Sequence, residues 1–393
     1  MRVVWSHNWF LDYRVPVYEM LAKDPMIDFH LIYCPDNIPK RVDQKIRKIL
    51  GEKAVPINKE IVLHLGNPKS TGDFANRVTT IRIPLGLFSH MRALKPDVIV
   101  SEGFFRWSIF NLIAAKLLGC KFVMLYERTP HTERGVSGFK RSVRKFLARR
   151  MDVICGNGVL TRDYLRSLGV PDAKITLGHM VADTEGIRAG VQNMSQFERA
   201  SARVSLAGDA DLVCLFVGQL NERKGIKLFL QGWRRYCEKV EASSPVVLVI
   251  GDGPQREKLS EEFEGYPGVR FFGPVDYDAL YKYFAVADIF VMPTLEDNWS
   301  MVVPEAMAAG LPILTSVYNG CHPDLISTEN GWVYDPYDEE SLFSKLDDIF
   351  EAKKRLPLMG SASSTRILNH GPTSGYEAVK NSCSQAISDG VRC

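Results

Sequence analysis

The chain has 393 residues, enough for two domains or three, each with a core of its own. With 46% hydrophobic and 24% charged residues it reads as globular, which excludes a disordered or fibrous chain. The net charge of +3 hides an asymmetry: residues 1–190 hold 30 Lys and Arg against 18 Asp and Glu, and the remainder 19 against 28, so the first half suits an anionic partner.

Residues 2–5 read as a first strand, followed by a polar-aromatic loop (residues 6–13) and a helix over 16–22. A second strand is expected at 29–33, and the polar, basic run 36–71 as an excursion with some helix. Strands follow at 98–100, 121–126 and 153–155, with an apolar helix over 107–118 and another over 161–168, closed by Gly169. Strands alternating with helices predict a doubly wound parallel sheet. Within this half, residues 134–150 (RGVSGFKRSVRKFLARR) carry seven basic residues and no acid, with apolar residues at helical spacing. Such a helix can lie on an anionic membrane surface or be a solvated face packed on the sheet. No aromatic-interleaved basic groove or nucleic-acid module is present, so no nucleic-acid partner is expected.

The polar stretch 183–205, with Gly186, Gly190 and Ser195, reads as a domain boundary. The expected organisation is 1–187, 188–374 and a final amphipathic helix in 375–393. A second αβ series then runs through strands at 212–217, 246–250 and 269–272, interleaved with helices over 226–239, 256–263 and 278–287. A small strand at 332–334 and a helix over 339–351 follow. Eight scattered cysteines without a CxxC pair suggest free thiols in a reducing cytosol, and the N-terminal residues lack the apolar core of a signal peptide. No apolar run is long enough to span a bilayer, and the histidines form no ligand-spaced cluster, so neither a spanning helix nor a metal site is expected.

The densest signal is VMPTLEDNWSMVVPEAMAAGLPILTS, residues 291–316. A strand runs into a polar loop, and a helix opens near Pro304 and stops at Gly310, where proline suits a first turn and glycine the residue past a helix end. Glu305 therefore lies in a first helical turn at the carboxyl edge of a strand, with Asp297 on the preceding loop. Ligands of open α/β sheets bind at that edge. Helix-dipole stabilisation of Glu305 and turn chemistry at Asp297 are the structural alternatives.

Taken together, FVGQLNERKGI (216–226), VIGDGP (249–254), GPVDYDALYKYFAVADIFVMPT (273–294) and EDNWSMVVPEAMAAGLPIL (296–314) resemble the donor-binding domain of the retaining glycosyltransferases of family 4. The resemblance covers residues 210–335. It implies a GT-B fold, two Rossmann-like domains facing across a cleft with a last helix returning to the first. The first domain would bind the acceptor and the second the nucleotide-sugar donor. The family's motif is two glutamates with seven residues between them. Glu305 matches the second, the ribose contact, and Asp297 stands at the first, the sugar contact, one methylene short. Lys224 and Arg223 match the diphosphate cations, while Gln219 replaces a customary Arg. Further donor contacts are implied for Gly218, Gly251, Gly253 and Val275, and for the backbone amides of Trp299, Ser300, Met301 and Val302. The family commonly has a His where Glu127 ends a first-domain strand. Glu127, Arg128 and His131, with His7 and Asn8 after the first strand, are therefore candidates for donor or acceptor contact; turns and ion pairs are the alternative.

The reaction implied is transfer of a sugar with retention to a hydroxyl of a glycan or lipid-linked acceptor, without metal or cofactor, on the cytoplasmic side and at the membrane face if residues 134–150 bind lipid. A nucleotide-sugar epimerase and a non-catalytic nucleotide-sugar binder are the rivals. A dehydrogenase is disfavoured because no GxGxxG follows a first strand in either half.

Overall fold

The computed structural model describes residues 1–9, 12–65, 79–105, 107–240 and 244–388. They form two units: Met1–Val181 with the C-terminal segment from Pro372, and Ala182–Gly371. In the first, strands β1 (Arg2–His7), β2 (Asp28–Tyr33), β3 (Ala54–Pro56), β6 (Val98–Glu102), β7 (Lys121–Tyr126), β8 (Val153–Gly156) and β9 (Ile175–Leu177) make a parallel sheet, while β4 (Glu60–Leu65) and β5 (Thr79–Pro84) form a separate hairpin. The sheet order is β3-β2-β1-β6-β7-β8-β9. Both of its faces are covered, so the strands read as continuous apolar runs. Alternate residues serve two cores. Val3, Trp5, Val100 and Cys155 meet helices Val15–Lys23, Lys40–Leu50 and Pro372–Ser388. Val4, Ile99, Met124 and Ile154 meet helices Leu87–Leu94, Ser108–Leu118, Gly138–Ala148 and Val159–Ser167.

The helix Pro372–Ser388 sends Val379, Cys383 and Ala386 into the first of these cores. Its entry is clasped by Asp24, which accepts from Tyr376 Oη at 2.6 Å and pairs with Lys380 Nζ at 2.9 Å. The Tyr376 hydroxyl and the Lys380 ammonium hold the Asp24 carboxyl down at about 2.

The second unit repeats the pattern with β10 (Val213–Val217), β11 (Val246–Ile250), β12 (Val269–Gly273), β13 (Ile289–Met292), β14 (Ile313–Ser316) and β15 (Gly331–Tyr334), ordered β12-β11-β10-β13-β14-β15. In each unit the winding reverses beside the first strand, between β1 and β6 and between β10 and β13. Those are the switch points, where the loops at the carboxyl edge part and leave a crevice.

Three expectations change. The units divide at 181/182 and 371/372, not at 187/188 and 374/375. The stretch 183–205 is not a structureless boundary but the helices Thr184–Asn193 and Gln196–Ala207, both in the second unit. Its glycines and serine misled because each has a packing or capping task. Asp183 Oδ1 caps the amide of Gly186, Gly190 lies against the Tyr281 ring, and Ser195 forms a capping box with Glu198. Finally, the run 134–150 is helical over Gly138–Ala148, and Arg144 turns inward rather than to solvent, buried against Glu133 and the Tyr164 hydroxyl. All seven cysteines among the described residues are free thiols. No helix among those residues is long and apolar enough to cross a membrane.

Candidate functional site

The second unit's switch point gathers the residues expected to act together. The loop after β10 is shaped by Asn221, whose Oδ1 accepts from the Lys224 amide at 3.1 Å, and by Gly225 at φ +67°. Any Cβ on Gly225 would run into the Pro293 carbonyl, so glycine there lets this loop touch the loop after β13. The two are stitched by Leu295 N and Thr294 Oγ1, which donate to Arg223 O at 2.8 and 3.0 Å, and by Arg223 Nη1, which donates to Glu296 O at 3.2 Å.

This stitching brings Lys224 to Asp297. The ammonium lies 2.5 Å from Asp297 Oδ2, which also accepts from Ser300 Oγ at 2.8 Å, while Oδ1 accepts from the Trp299 amide at 3.3 Å. Arg223 Nη1 stands 3.9 Å from Oδ1. Burial would raise this carboxyl, but Lys224 and Arg223 together hold it below the usual carboxylate value, so it is ionised. Two of the four amides expected to face a donor are engaged inside the protein: Trp299 N on Asp297 and Ser300 N on Asn319 Oδ1 at 3.4 Å. Those of Met301 and Val302, at the cap and first residue of helix Val302–Ala308, belong to the turn where a helix leaves donors unpaired. The helix begins two residues before Pro304, with Gly310 at φ +83° after its end.

Glu305 occupies the first turn of that helix and is 9% exposed. Tyr277, just after the half-buried Val275, donates its hydroxyl to Glu305 Oε1 at 3.0 Å. Burial pushes the carboxyl up to about 7, with the Asp183 charge adding to the rise and the Tyr277 hydroxyl opposing it. The two acids of the motif therefore differ in state. Asp297 is a fixed anion, and Glu305 is poised to titrate near neutrality. Neither Tyr277 nor Asp183 was expected here. The first lies in the GPVDYDAL segment, where Val275 was the expected donor contact, and the second in the stretch taken for a boundary.

Gly251 and Gly253 also have a packing task. Their positive φ angles, +133° and +156°, and lack of Cβ leave room for the carbonyls of Gly218 and Leu220, so the loops after β10 and β11 pack backbone to backbone. Gly218 itself lies over the Phe216 ring. Gln219, where the resemblance favours Arg, is exposed and accepts from Asn221 Nδ2 at 3.2 Å.

In the first unit His7 and Asn8 are buried, and Glu127, Arg128 and His131 are half-buried. His7 Nε2 lies 2.8 Å from Tyr18 Oη, and Asn8 Nδ2 donates to Glu60 Oε1 at 3.1 Å. Glu127 accepts from Tyr13 Oη at 3.3 Å, Arg128 pairs with Glu133 at 3.2 Å, and the carbonyl of His131 receives Arg134. A residue unnoticed in the sequence organises this edge. The buried Glu60 carboxylate accepts from Asn8, Asn37, Trp107 and Arg82. Among the described residues no group of three or more His, Cys, Asp or Glu side chains could hold a metal ion.

Two Rossmann-like units of parallel sheet, with a charged constellation at the switch point of the second, define the GT-B class of glycosyltransferase folds. A glycosyltransferase from Rickettsia africae ESF-5 superposes with a TM-score of 0.74 at 11% identity, covering 98% of each chain. Anabaena Alr3699/HepE, solved in complex with UDP, gives 0.73 at 12% identity over 98% of this chain and 100% of that one. Residues 198–364, all within the second unit, match the family model described as Glycosyl transferases group 1. The sulfoquinovosyl transferase SQD2 of Arabidopsis thaliana is 25% identical over 301 residues, 72% of this chain and 56% of that protein. The chain thus spans about half the length of the curated relatives it matches.

Proposed function

We propose that the chain is a retaining glycosyltransferase of family 4 that moves a sugar from a nucleoside-diphosphate sugar to a hydroxyl of a glycan or lipid-linked acceptor. The observation that carries this reading is the pairing of Lys224 with Asp297 at the β10/β13 switch point, with Glu305 in the first turn of the helix that follows. A ligand spanning them would place its ribose hydroxyls on Glu305 and its diphosphate at Lys224, Arg223 and the amides of Met301 and Val302. The complex of the Anabaena neighbour with UDP supports a uridine nucleotide as the first donor to try.

In this reading the bond between the sugar's anomeric carbon and the β-phosphate oxygen breaks, and the electron pair leaves with the phosphate. Lys224 and Arg223 stabilise the charge that develops there. The acceptor oxygen bonds to the anomeric carbon on the face the phosphate leaves, and its proton passes to a phosphate oxygen, so no side chain acts as base. Asp297 keeps Lys224 in place and, through Ser300 and the Trp299 amide, fixes the turn before the helix. Transfer in this reading needs no metal, and chelation with EDTA should leave it unchanged.

The test is calorimetric titration with UDP, UDP-sugars and their guanosine and adenosine counterparts, followed by transfer assays. Glu305→Ala should abolish transfer and weaken nucleotide binding by tenfold or more, about 1.4 kcal/mol. Near-normal turnover in that variant sinks the assignment. A second reading, a nucleotide-sugar binder without catalysis, draws on Gln219 and on the neutralisation of Lys224 by Asp297. Donor hydrolysis or transfer above background excludes it.

A further inference from the structure

We propose that the side of the first unit's sheet carrying helices Leu87–Leu94, Ser108–Leu118 and Gly138–Ala148 is a docking face for a bilayer rich in anionic lipid. All three helices bury their inner residues in one core, through Leu87 and Met91, Leu112 and Ala115, and Ala148. Their outer residues include large apolar ones where solvent would favour polar ones. Phe88 is exposed on the first. Ile113 and Leu117, one turn apart, are 51% and 69% exposed on the second; Phe139 and Phe146, two turns apart, are 79% and 55% exposed on the third. Five large apolar side chains on three helices of one layer exceed the scattered exposure of an ordinary surface.

The charge carried by the three helices themselves is of one sign. The three helices contain no Asp or Glu, whereas each helix covering the opposite side contains one: Glu19, Asp43 and Glu377. Arg92, Lys116, Arg141 and Lys145 are exposed on the three helices, with Arg149 and Arg150 exposed just beyond the third. Arg150 stacks over the Phe146 ring at 3.3 Å from its centroid, so cation and aromatic ring form one amphipathic tip. The acids nearest the third helix are paired: Glu133 is buried with Arg144 and Arg128, and Asp152 accepts from the Phe122 amide and pairs with Lys121 and, at 3.8 Å, with Lys116 of the second helix. The fourth helix on this side, Val159–Ser167, carries Asp163 and marks the edge of the face.

Phenylalanines standing apart among arginines and lysines suit a headgroup layer, which accepts rings at its acyl boundary and cations at its phosphates. No helix of the face is long enough to cross a bilayer, so each would lie in its plane. The proposal extends the basic run 134–150 to two neighbouring helices and removes Arg144 from it. It does not depend on the donor site.

The experiment is flotation of the full chain with vesicles of phosphatidylcholine, with and without phosphatidylglycerol, and nucleotide binding measured in the same samples. The chain should float only with the anionic vesicles. Phe139→Ser with Phe146→Ser, and separately Ile113→Ser with Leu117→Ser, should each cut partitioning by on the order of tenfold. Replacing Arg141, Lys145 and Arg149 by Gln should do so by a factor that shrinks in high salt. All these side chains are exposed, so an unchanged thermal melt and unchanged nucleotide affinity should accompany the losses. The proposal falls if the chain floats equally with neutral vesicles or not at all. It falls also if the Ile113/Leu117 variant binds like the parent, or if the Phe139/Phe146 change dissolves a dimer in a chain that never bound vesicles.

Discussion

Glu305 bears on pH and stability as well as on a ligand. The unfolded chain titrates this carboxyl near 4.5 and the folded one near 7, so between those values the folded state holds the extra proton. Raising the pH across that window must therefore lower stability; the loss is absent below about 4.5 and complete above about 7. Glu305→Gln, neutral throughout, should flatten the profile and at pH 8 stabilise the unliganded protein by up to about 3 kcal/mol, while removing transfer. Urea unfolding at pH 5 and pH 8 measures this, and equal pH dependence in parent and variant would contradict it. Glu305 and Asp297 stood out from the strand–loop–helix pattern, and Lys224 from the family resemblance. Tyr277 and Asp183 did not show because they reach Glu305 through folding, from segments that read alone are a turn and a helix cap. Nor could spacing reveal that Asp297 is held by Lys224, since that contact depends on Gly225 letting two loops touch.

At the scale of elements, the glycine pair Gly251 and Gly253 sets how the loops after β10 and β11 lie together. A methyl group at Gly251 meets the Gly218 carbonyl, and the backbone there has φ +133°, so both sterics and conformation oppose it. Gly251→Ala should cost on the order of 2–3 kcal/mol through the strain of a special backbone position. It should also lower nucleotide affinity, because the displaced loop carries Lys224. Thermal unfolding and titration of the same preparation test both parts, and a neutral Gly251→Ala would show that the loops are not locked. The short apolar strands were easy to read because both faces of a parallel sheet are buried. The helices over 184–193 and 196–207 were not: glycines that break an isolated helix sit here where Tyr281 and the Asp183 cap need the space. The stretch 134–150 read correctly as amphipathic and basic, but sequence alone could not separate the inward Arg144 from its outward neighbours.

For the whole molecule, the two units are not successive in the chain. The second is inserted into the first, since Pro372–Ser388 returns to fill the core that Val15–Lys23 and Lys40–Leu50 leave open. The last helix was read from its amphipathic pattern, but its return to the first unit only from the family resemblance, since the pattern does not say which core it joins. The order of synthesis then matters. A ribosome that has released residues 1–181 has produced a sheet with part of one face uncovered, and that face must wait for about two hundred further residues before Val379, Cys383 and Ala386 arrive. At about 5–20 residues per second the wait is on the order of ten to forty seconds, during which the second unit can fold on its own. A fragment of residues 182–371 should therefore express as a cooperative, nucleotide-binding domain. Residues 1–181 alone should aggregate and be rescued by co-expression of 372–393; a soluble, cooperatively melting 1–181 fragment would show that the waiting face is harmless. In a cell, the first half of this protein is made first and finished last.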